Sequence, residues 1–153
     1  MELLVTIGVV ILVITIGVIV IWQMGVLRPP PCERYKVAFS QVVPTDWAAY
    51  RGSNTLVLSV ENWAGYEVNV TDANAVVDDV TCFSTHEIVI QPGDTALLIL
   101  NCSTPSISDK YRTGDCYKAD IGIRYINMRT GNSHESNGNV RGAIEEGAAT
   151  TTT

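Results

Sequence analysis

The four cysteines are the residues of this sequence with the clearest chemistry: Cys32, Cys82, Cys102 and Cys116. None of them forms a C-x-x-C pair, and the two histidines, His86 and His134, do not have zinc-finger spacing. Two structural disulfides are therefore a better interpretation than a zinc site. Because disulfides persist in oxidising environments, the cysteines indicate an extracytoplasmic or extracellular protein.

A turn signal between two apolar segments indicates which cysteines pair. Residues 91–94 (QPGD) combine Pro and Gly and predict a hairpin turn. Folding about this turn places Cys82 nearly opposite Cys102, because both lie about ten residues from its centre. This pairing leaves Cys32 for Cys116, although the sequence alone leaves the other two connectivities open.

Two N-x-S/T triplets are candidate glycosylation sites: Asn69-Val70-Thr71 and Asn101-Cys102-Ser103. In the strand predicted around it, Asn69 alternates with Val68 and Val70, which places its side chain on the outward face, as a glycan requires. Asn101 is next to Cys102, and a disulfide there would restrict access by the transferase. We therefore expect glycans attached at Asn69 and Asn101, with Asn69 as the better acceptor.

Other residues that could do chemistry lack the spacing of a catalytic or metal site. A cupredoxin copper site needs a His shortly after its Cys ligand, and no His lies between Cys116 and Met128. Asp72 and Asp78-Asp79 could bind calcium loosely, but their spacing matches no EF-hand loop, so a solvated loop is the better interpretation. The sequence contains neither a G-x-S-x-G motif nor a phosphate-binding loop. We therefore expect a protein that is not an enzyme and that holds no cofactor and no metal.

The distribution of charge indicates whether the protein could bind nucleic acid. The formal net charge is −6, and the ten Lys and Arg residues are scattered singly. A nucleic-acid surface needs a basic stripe, so we expect no nucleic-acid partner.

Four aromatic residues are expected in the core or at its ends, and any that are exposed become candidates for adhesion or subunit contacts: Trp47, Tyr50, Trp63 and Tyr66.

The N-terminal segment differs from the rest of the chain. Residues 3–27 contain no charge and no proline, and they exceed the roughly 20 residues that a helix needs to cross a membrane. Trp22 lies near the end of this segment, where an interfacial aromatic would sit, and Arg28-Pro29-Pro30-Pro31 ends the helix. The predicted organisation is an apolar helix at 1–27, a proline-rich linker at 28–34, a head at 35–146 and a small polar tail at 147–153.

Alternation with a period of two residues predicts that the head is all-β. In residues 117–127, for example, Tyr117, Ala119 and Ile121 share one face. The predicted strands are 35–42, 55–61, 66–70, 87–90, 95–100 and 117–127, and residues 131–138 are predicted to form a polar loop. Short strands at this spacing are typical of an immunoglobulin-like sandwich. The expected fold class is therefore a long N-terminal apolar α-helix followed by an all-β immunoglobulin-like sandwich head.

The charges around the apolar helix conflict with the exterior location that the cysteines indicate. Glu2 precedes the helix, and Arg28, Arg34 and Lys36 follow it. By the positive-inside tendency, this placement would leave the head in the cytoplasm. A secretory signal peptide does not explain the segment, because it needs a basic n-region and a short h-region. The conflict disappears if a basic leader once preceded Met1 and was removed.

The opening residues 1–8 (MELLVTIG) resemble the start of archaeal type IV pilin-like proteins, the adhesion pilins and archaellins that carry class III signal peptides. In that family a short basic leader is cut just before a glutamine, and a glutamate and a long apolar helix follow. Glu2 matches the family's glutamate. The basic leader and the cleavage-site residues are absent, and Thr6 stands where the commonest pattern has Leu. The resemblance covers residues 1–27.

This resemblance implies a structural subunit of an extracellular helical filament, either a type IV pilus or an archaellum. Identical subunits would pack their helices in a central rod with the β heads outside, and each would be inserted in the cytoplasmic membrane before assembly. Glu2, Thr6, Gly8 and Trp22 would belong to the assembly surface, with Glu2 paired to a neighbour's N-terminal amine or to the Thr6 hydroxyl. The alternative is a single-pass, membrane-anchored extracellular binding module, which explains the helix, the linker and the cysteines equally well.

Overall fold

The computed structural model describes residues 2–24 and 32–147, and for Glu2 the backbone alone. The chain divides into two compact units, Met1–Pro31 and Cys32–Thr153. The predicted end of the helix at 25–27, most of the predicted linker (28–31) and most of the predicted tail (148–153) lie outside the described residues.

Helix α1 spans Glu2–Gln23, and the Met24 amide adds one more bond by donating to the Val20 carbonyl at 2.9 Å. Its many β-branched residues are stiff and only moderate helix formers in water. In an apolar medium, however, a helix satisfies every interior backbone group within the segment, which favours it strongly. Residues Leu3–Gln23 have a mean hydropathy of 3.2 and are long and apolar enough to cross a membrane. The predicted N-terminal apolar helix is therefore confirmed.

The described part of the second unit consists of nine strands and one helical turn. In chain order these are β1 (Tyr35–Val37), β2 (Val42–Tyr50), β3 (Thr55–Asn62), β4 (Val68–Val77), β5 (Val80–Ser84), β6 (Ile88–Ile90), β7 (Thr95–Cys102), α2 (Ile107–Lys110), β8 (Cys116–Asn127) and β9 (Ser133–Glu145). Seven strands form a closed ring in the order β9-β2-β3-β7-β5-β4-β8, which ends where β8 pairs with β9. Strand β1 lies against β9, and β6 lies against β4.

Two short seams close this ring. One antiparallel group contains β2, β3 and β7, and the other contains β9, β8, β4 and β5. At one seam β5 pairs with β7 through two residue pairs, and at the other β2 pairs with β9 in parallel, again through two pairs. The β-rich head is therefore confirmed. The immunoglobulin-like sandwich is not confirmed, because the seams join the two groups into one seven-stranded barrel.

The core fills the interior of the barrel because side chains alternate between inside and outside along most of its strands. In β3 the inward residues Leu56, Leu58 and Val60 are completely buried. Burying one such side chain contributes roughly 1.5–3 kcal/mol relative to leaving it in water. The inward face of β8 contains the residues that the period-2 pattern predicted: Tyr117, Ala119, Ile121, Ile123 and Tyr125.

The sequence analysis missed β2, β5 and β9, and its polar loop at 131–138 is wrong because β9 begins at Ser133. The first buried position of β9 is Ser136, whose hydroxyl donates to the Val42 carbonyl at 2.8 Å and accepts from the Ser40 amide at 3.1 Å. A hydroxyl with both partners can occupy a core position, so the strand starts without an apolar alternation. The predicted strand 35–42 is interrupted after Val37, because Ala38 has a left-handed φ of 73°.

Candidate functional site

The surface of α1 carries the residues expected to mediate assembly. Its large apolar side chains are all exposed in the single chain, from 45% at Ile21 to 76% at Leu3. Val, Ile and Leu occur on every side of the helix, so it lacks the polar face of a helix that packs on one side only. The described helix therefore suits an apolar environment all around it, either lipid or other helices.

Small residues interrupt this apolar surface on two opposite sides of α1. At about 100° per residue, Gly8 and Gly17 point about 180° apart. By the same count, Thr15 lies within about 20° of the Gly8 direction, and Thr6 lies within about 20° of the Gly17 direction. A Cβ added at either glycine would meet no atom within 4 Å, so both positions leave open space at the helix surface.

The other residues expected at the assembly surface lie at the two ends of α1. Trp22 is 66% exposed near the C-terminal end, as an interfacial aromatic would be. The side chain of Glu2 lies outside the described residues, so its pairing with a neighbour's amine or with Thr6 stays a prediction. Within the helix, the Thr15 hydroxyl is satisfied by the carbonyls of the preceding turn at 2.8 and 3.0 Å.

The two disulfides of the head join the cysteines that the turn signal indicated. Cys82 and Cys102 are direct register partners in β5 and β7, with their Cα atoms 3.8 Å apart. Cys32 is bonded to Cys116 at the start of β8, with a Cα–Cα distance of 5.5 Å. The first bridge therefore lies in the short β5–β7 seam, and the second fastens the start of the head to the barrel. Two disulfides fit an extracellular protein.

The two glycosylation triplets differ in exposure. Asn69 lies between Val89 of β6 and Ile126 of β8, and it is half-buried on the outer face of the barrel. Its Oδ1 is buried without a hydrogen-bond partner among the described residues, and its Nδ2 is 3.5 Å from a carboxylate oxygen of Glu87. Asn101 is exposed, even though it is next to a bridged cysteine. Asn101 is therefore the more exposed of the two asparagines, the reverse of the order expected from the sequence, and glycan attachment at either stays a prediction.

The acidic residues considered as calcium ligands are engaged in three separate contacts. Asp72 lies 3.3 Å from an arginine of β8, Asp79 forms an ion pair with Lys110, and Asp78 accepts a hydrogen bond from the Tyr111 hydroxyl. In the described ranges, no three His, Cys, Asp or Glu side chains are grouped as metal ligands. These carboxylates therefore act in local ion pairs and hydrogen bonds.

The four aromatic residues expected in or near the core do not share one environment. Trp47 is buried, its indole N–H donates to the Arg141 carbonyl at 2.9 Å, and the Arg34 guanidinium lies 4.9 Å from the ring centroid. Trp63 is 59% exposed, and the Lys36 ammonium lies 5.6 Å from its ring centroid. Trp63 is thus the exposed aromatic in this set and a candidate for contact with a partner. The remaining two are half-buried: Tyr50 and Tyr66.

Three tyrosine hydroxyls have altered acidity because the barrel partly removes them from water. Burial is the main cause that raises the pKa of Tyr117, and the nearby Arg34 guanidinium opposes it. Burial, reinforced by the hydrogen bond to Asp78, also raises the pKa of Tyr111. Burial likewise raises the pKa of Tyr125. These phenols therefore stay neutral at physiological pH.

The outer surface of the barrel has an acidic side and a side of mixed charge. Strands β3 to β7 lie in residues 52–109, which contain no Lys or Arg and eight acidic residues. On the other side, Lys118 of β8 and Arg141 of β9 are direct register partners, and Tyr35 of β1 lies opposite Arg141. Sequence reasoning could not find this pair of cations, because it depends on the register of β9, a strand that was not predicted.

Comparison with known proteins identifies no family for this chain: no family model matches its sequence, and no curated protein matches it. The surface of α1, the disulfides and the charges on the barrel are therefore the features from which its function can be inferred.

Proposed function

We propose that this chain is the structural subunit of an extracellular helical filament of the archaeal type IV pilus or archaellum kind. The apolar helices of identical subunits pack in a central rod, and the β heads lie outside. One observation carries the proposal: α1 is apolar on every side and has small residues on two opposite sides.

The two small-residue sides of α1 favour a rod over a simple membrane anchor. A single-pass anchor contacts lipid, which needs no close approach between backbones. Helices that pack on each other within an apolar medium place Gly and Thr where they meet. Because Gly8 and Gly17 point in opposite directions, α1 can be approached closely by one neighbour on each side, as a helix within a rod would be.

The head supports a location outside the cell. Its two disulfides suit an oxidising environment, and Asn101 lies exposed in an acceptor triplet for a glycan. The helix would hold the subunit in the cytoplasmic membrane before assembly. Moving it from lipid into the rod leaves the head outside throughout.

A single-pass, membrane-anchored binding module is the second candidate. It is favoured by Trp63, which presents 59% of its surface to solvent beside Lys36 and could contact an external ligand. This candidate uses the same helix and the same head, but it requires no contact between subunits.

Electron microscopy separates the two candidates. Antibody raised against the head should label fibres on the surface of cells that express the full chain, and fibre yield should fall sharply for Gly8→Leu and Gly17→Leu. Val9→Leu is the matched control, because it adds bulk to a side of α1 that already carries large residues. Labelled protein found only as monomers in membrane fractions, with no fibres, would rule out the filament.

A further inference from the structure

Lys118 and Arg141 form a pair of like charges on the outer surface of the barrel. They are direct register partners in β8 and β9, and both side chains are exposed. Like charges directly opposite each other destabilise a pair of strands. Lys118 has a distant counter-charge in Asp120 at 3.9 Å, whereas Arg141 has no ion pair among the described residues. This basic pair (Lys118 and Arg141) thus lacks sufficient compensation within its own chain.

A face of complementary character lies elsewhere on the same barrel, on β3 and β7. Glu61 is the register partner of Thr95, so Glu61 and Asp94 lie at the same end of the β3–β7 pair. Neither carboxylate has an ion pair in the described part of the chain, and no basic residue lies anywhere in β3 to β7. Leu97, two residues along β7 from Thr95, is 47% exposed on the same outer side. These residues define the acidic face (Glu61, Asp94 and Leu97).

We infer that the basic pair of one head docks on the acidic face of a second copy of this chain. This contact rests on the proposed filament and specifies how neighbouring heads meet in it. Arg141, which has no ion pair in the described part of the chain, and Lys118, paired only with Asp120 at 3.9 Å, would face two carboxylates without ion pairs there. Each set has exposed apolar groups beside it. On the basic side these are Tyr35 and Val37 of β1, which are 36% and 51% exposed.

The contact joins two different surfaces of the same molecule, so it does not close on itself as a two-fold dimer would. Each head that uses its basic pair still presents a free acidic face, and the next copy can add there. Repeated heterologous contacts of this kind generate an open helical array. The charge pattern of the head therefore serves the same assembly as the helix.

Charge reversal in the full chain tests this contact. We expect Lys118→Glu with Arg141→Glu to lower fibre yield by about tenfold or more, the change that about 1.4 kcal/mol makes in an equilibrium constant. Glu61→Lys with Asp94→Lys should have the same effect. Combining all four substitutions should restore fibres, because the reversed charges attract again. Lys110→Glu with Arg112→Glu is the control, since it changes net charge equally at residues that belong to neither surface.

The outcomes separate this contact from the filament itself. If the wild-type chain makes no fibres, the proposed filament and the proposed contact are both wrong. If wild-type fibres form and the reversed basic pair yields as many fibres as the control, the contact alone is wrong. Failure of the fourfold variant to recover fibres, with a correctly folded head by circular dichroism, would also overturn it.

Crosslinking gives a second readout that does not depend on fibre yield. A photoreactive phenylalanine analogue placed at position 97 in assembled fibres should crosslink to β1, β8 or β9 of another copy. Mass spectrometry of the digested product identifies the partner peptide. Crosslinks to lipid, to another protein or to β3 and β7 of the second copy would contradict the proposed arrangement.

Discussion

At the scale of single residues, the hydroxyl of Tyr117 marks a weak point of the core. Tyr117 is 2% exposed, and its hydroxyl has no hydrogen-bond partner among the described residues. Burying an unpaired hydroxyl costs about 1–3 kcal/mol. We therefore expect Tyr117→Phe to raise the free energy of unfolding by about 1 kcal/mol, measured by denaturant unfolding of the full chain in detergent.

Tyr125 supplies a matched control in the same strand. Its hydroxyl donates to the Gln41 side-chain oxygen at 2.8 Å, so Tyr125→Phe removes a bond that is made. That substitution should lower the free energy of unfolding by about 1 kcal/mol. Equal losses for the two variants would show that the Tyr117 hydroxyl has a partner after all.

The same burial makes the barrel sensitive to alkaline pH. Because burial raises the pKa of Tyr117 in the folded state, the unfolded chain loses this proton first as pH rises. Stability is therefore intact below the unfolded pKa of about 10 and falls above it, by at most about 1.4 kcal/mol per pH unit for one group. Unfolding measured from pH 8 upward should show a shallower alkaline decline for Tyr117→Phe than for the wild type. Parallel pH profiles would contradict this assignment.

Glycan attachment is also decided at single residues. Asn101 is exposed, whereas Asn69 is half-buried between two neighbouring strands with its Oδ1 covered. We expect mass spectrometry of protein from the native cell surface to find Asn101 modified to a greater extent than Asn69. Asn101→Gln should remove most of the added mass, and Asn69→Gln is the control. A fully modified Asn69 beside a bare Asn101 would mean that the strand arrangement around β4 is different.

At the scale of elements, the pairing of β5 with β7 depends on a disulfide for its stability, whereas the longer strand pairs are held by many backbone hydrogen bonds. Only two residue pairs join these strands, and one of them is the Cys82–Cys102 bridge. Replacing both cysteines with Ala should cost about 3 kcal/mol for a sequence separation of 20, and replacing Cys32 and Cys116 about 4.5 kcal/mol for a separation of 84.

The two bridges should differ in where the barrel opens. Without Cys82–Cys102, amide hydrogen exchange should rise first along the β5–β7 seam, because one other residue pair and the bonds from Ser103 to the Thr81 carbonyl are what remain to close the ring there. Without Cys32–Cys116, the rise should be confined to the start of the head and to β1. Exchange measured by mass spectrometry after each double substitution distinguishes the two patterns. Uniform exchange across the barrel in both variants would contradict the role of the seam.

The elements also show what the sequence could and could not reveal. The helix, the inward face of β8 and the turn at 91–94 follow from local patterns. The turn indicated the cysteine pairs, although the predicted hairpin is wrong, because β6 pairs with β4 and β7 pairs with β3 and β5. Strand β9 escaped prediction because its first buried position, Ser136, is polar and is satisfied by partners far away in the chain. Closure of the barrel was not predicted either, because each seam consists of two residue pairs between strands that local patterns cannot align.

The candidate site was predictable to the same extent as the elements that build it. The residues of α1 could be singled out because they belong to one helix, where spacing fixes direction. The cations Lys118 and Arg141 could not, since they are 23 positions apart in sequence and meet only through the β8–β9 register. Asn69 shows a limit of local patterns. Alternation correctly placed its side chain on the outer face, but it could not show that the neighbouring strands leave this side chain half-buried.

At the scale of the whole molecule, the two units differ in chemistry, and each would have its own role in the proposed filament subunit. Residues 1–31 contain no cysteine and include the apolar helix α1, whereas all four cysteines lie in the unit that forms the barrel. In the proposed filament, cohesion of the rod comes from apolar burial and close helix packing. The persistence of each head depends on its covalent bridges.

This division predicts the order in which a fibre fails under reducing conditions. Reductant should make the heads susceptible to protease while the fibres stay intact, because the helices contain no bond that a thiol can break. The measurement combines thiol labelling, limited proteolysis and negative-stain microscopy on the same fibres at increasing reductant concentration, with fibres in unreduced buffer as the control. Since the bridges contribute about 3 and about 4.5 kcal/mol, heads with all four thiols free should be cleaved well before fibres shorten. Fibres that dissociate while their heads still resist protease would show that the bridged heads, and not the helices, hold the assembly together.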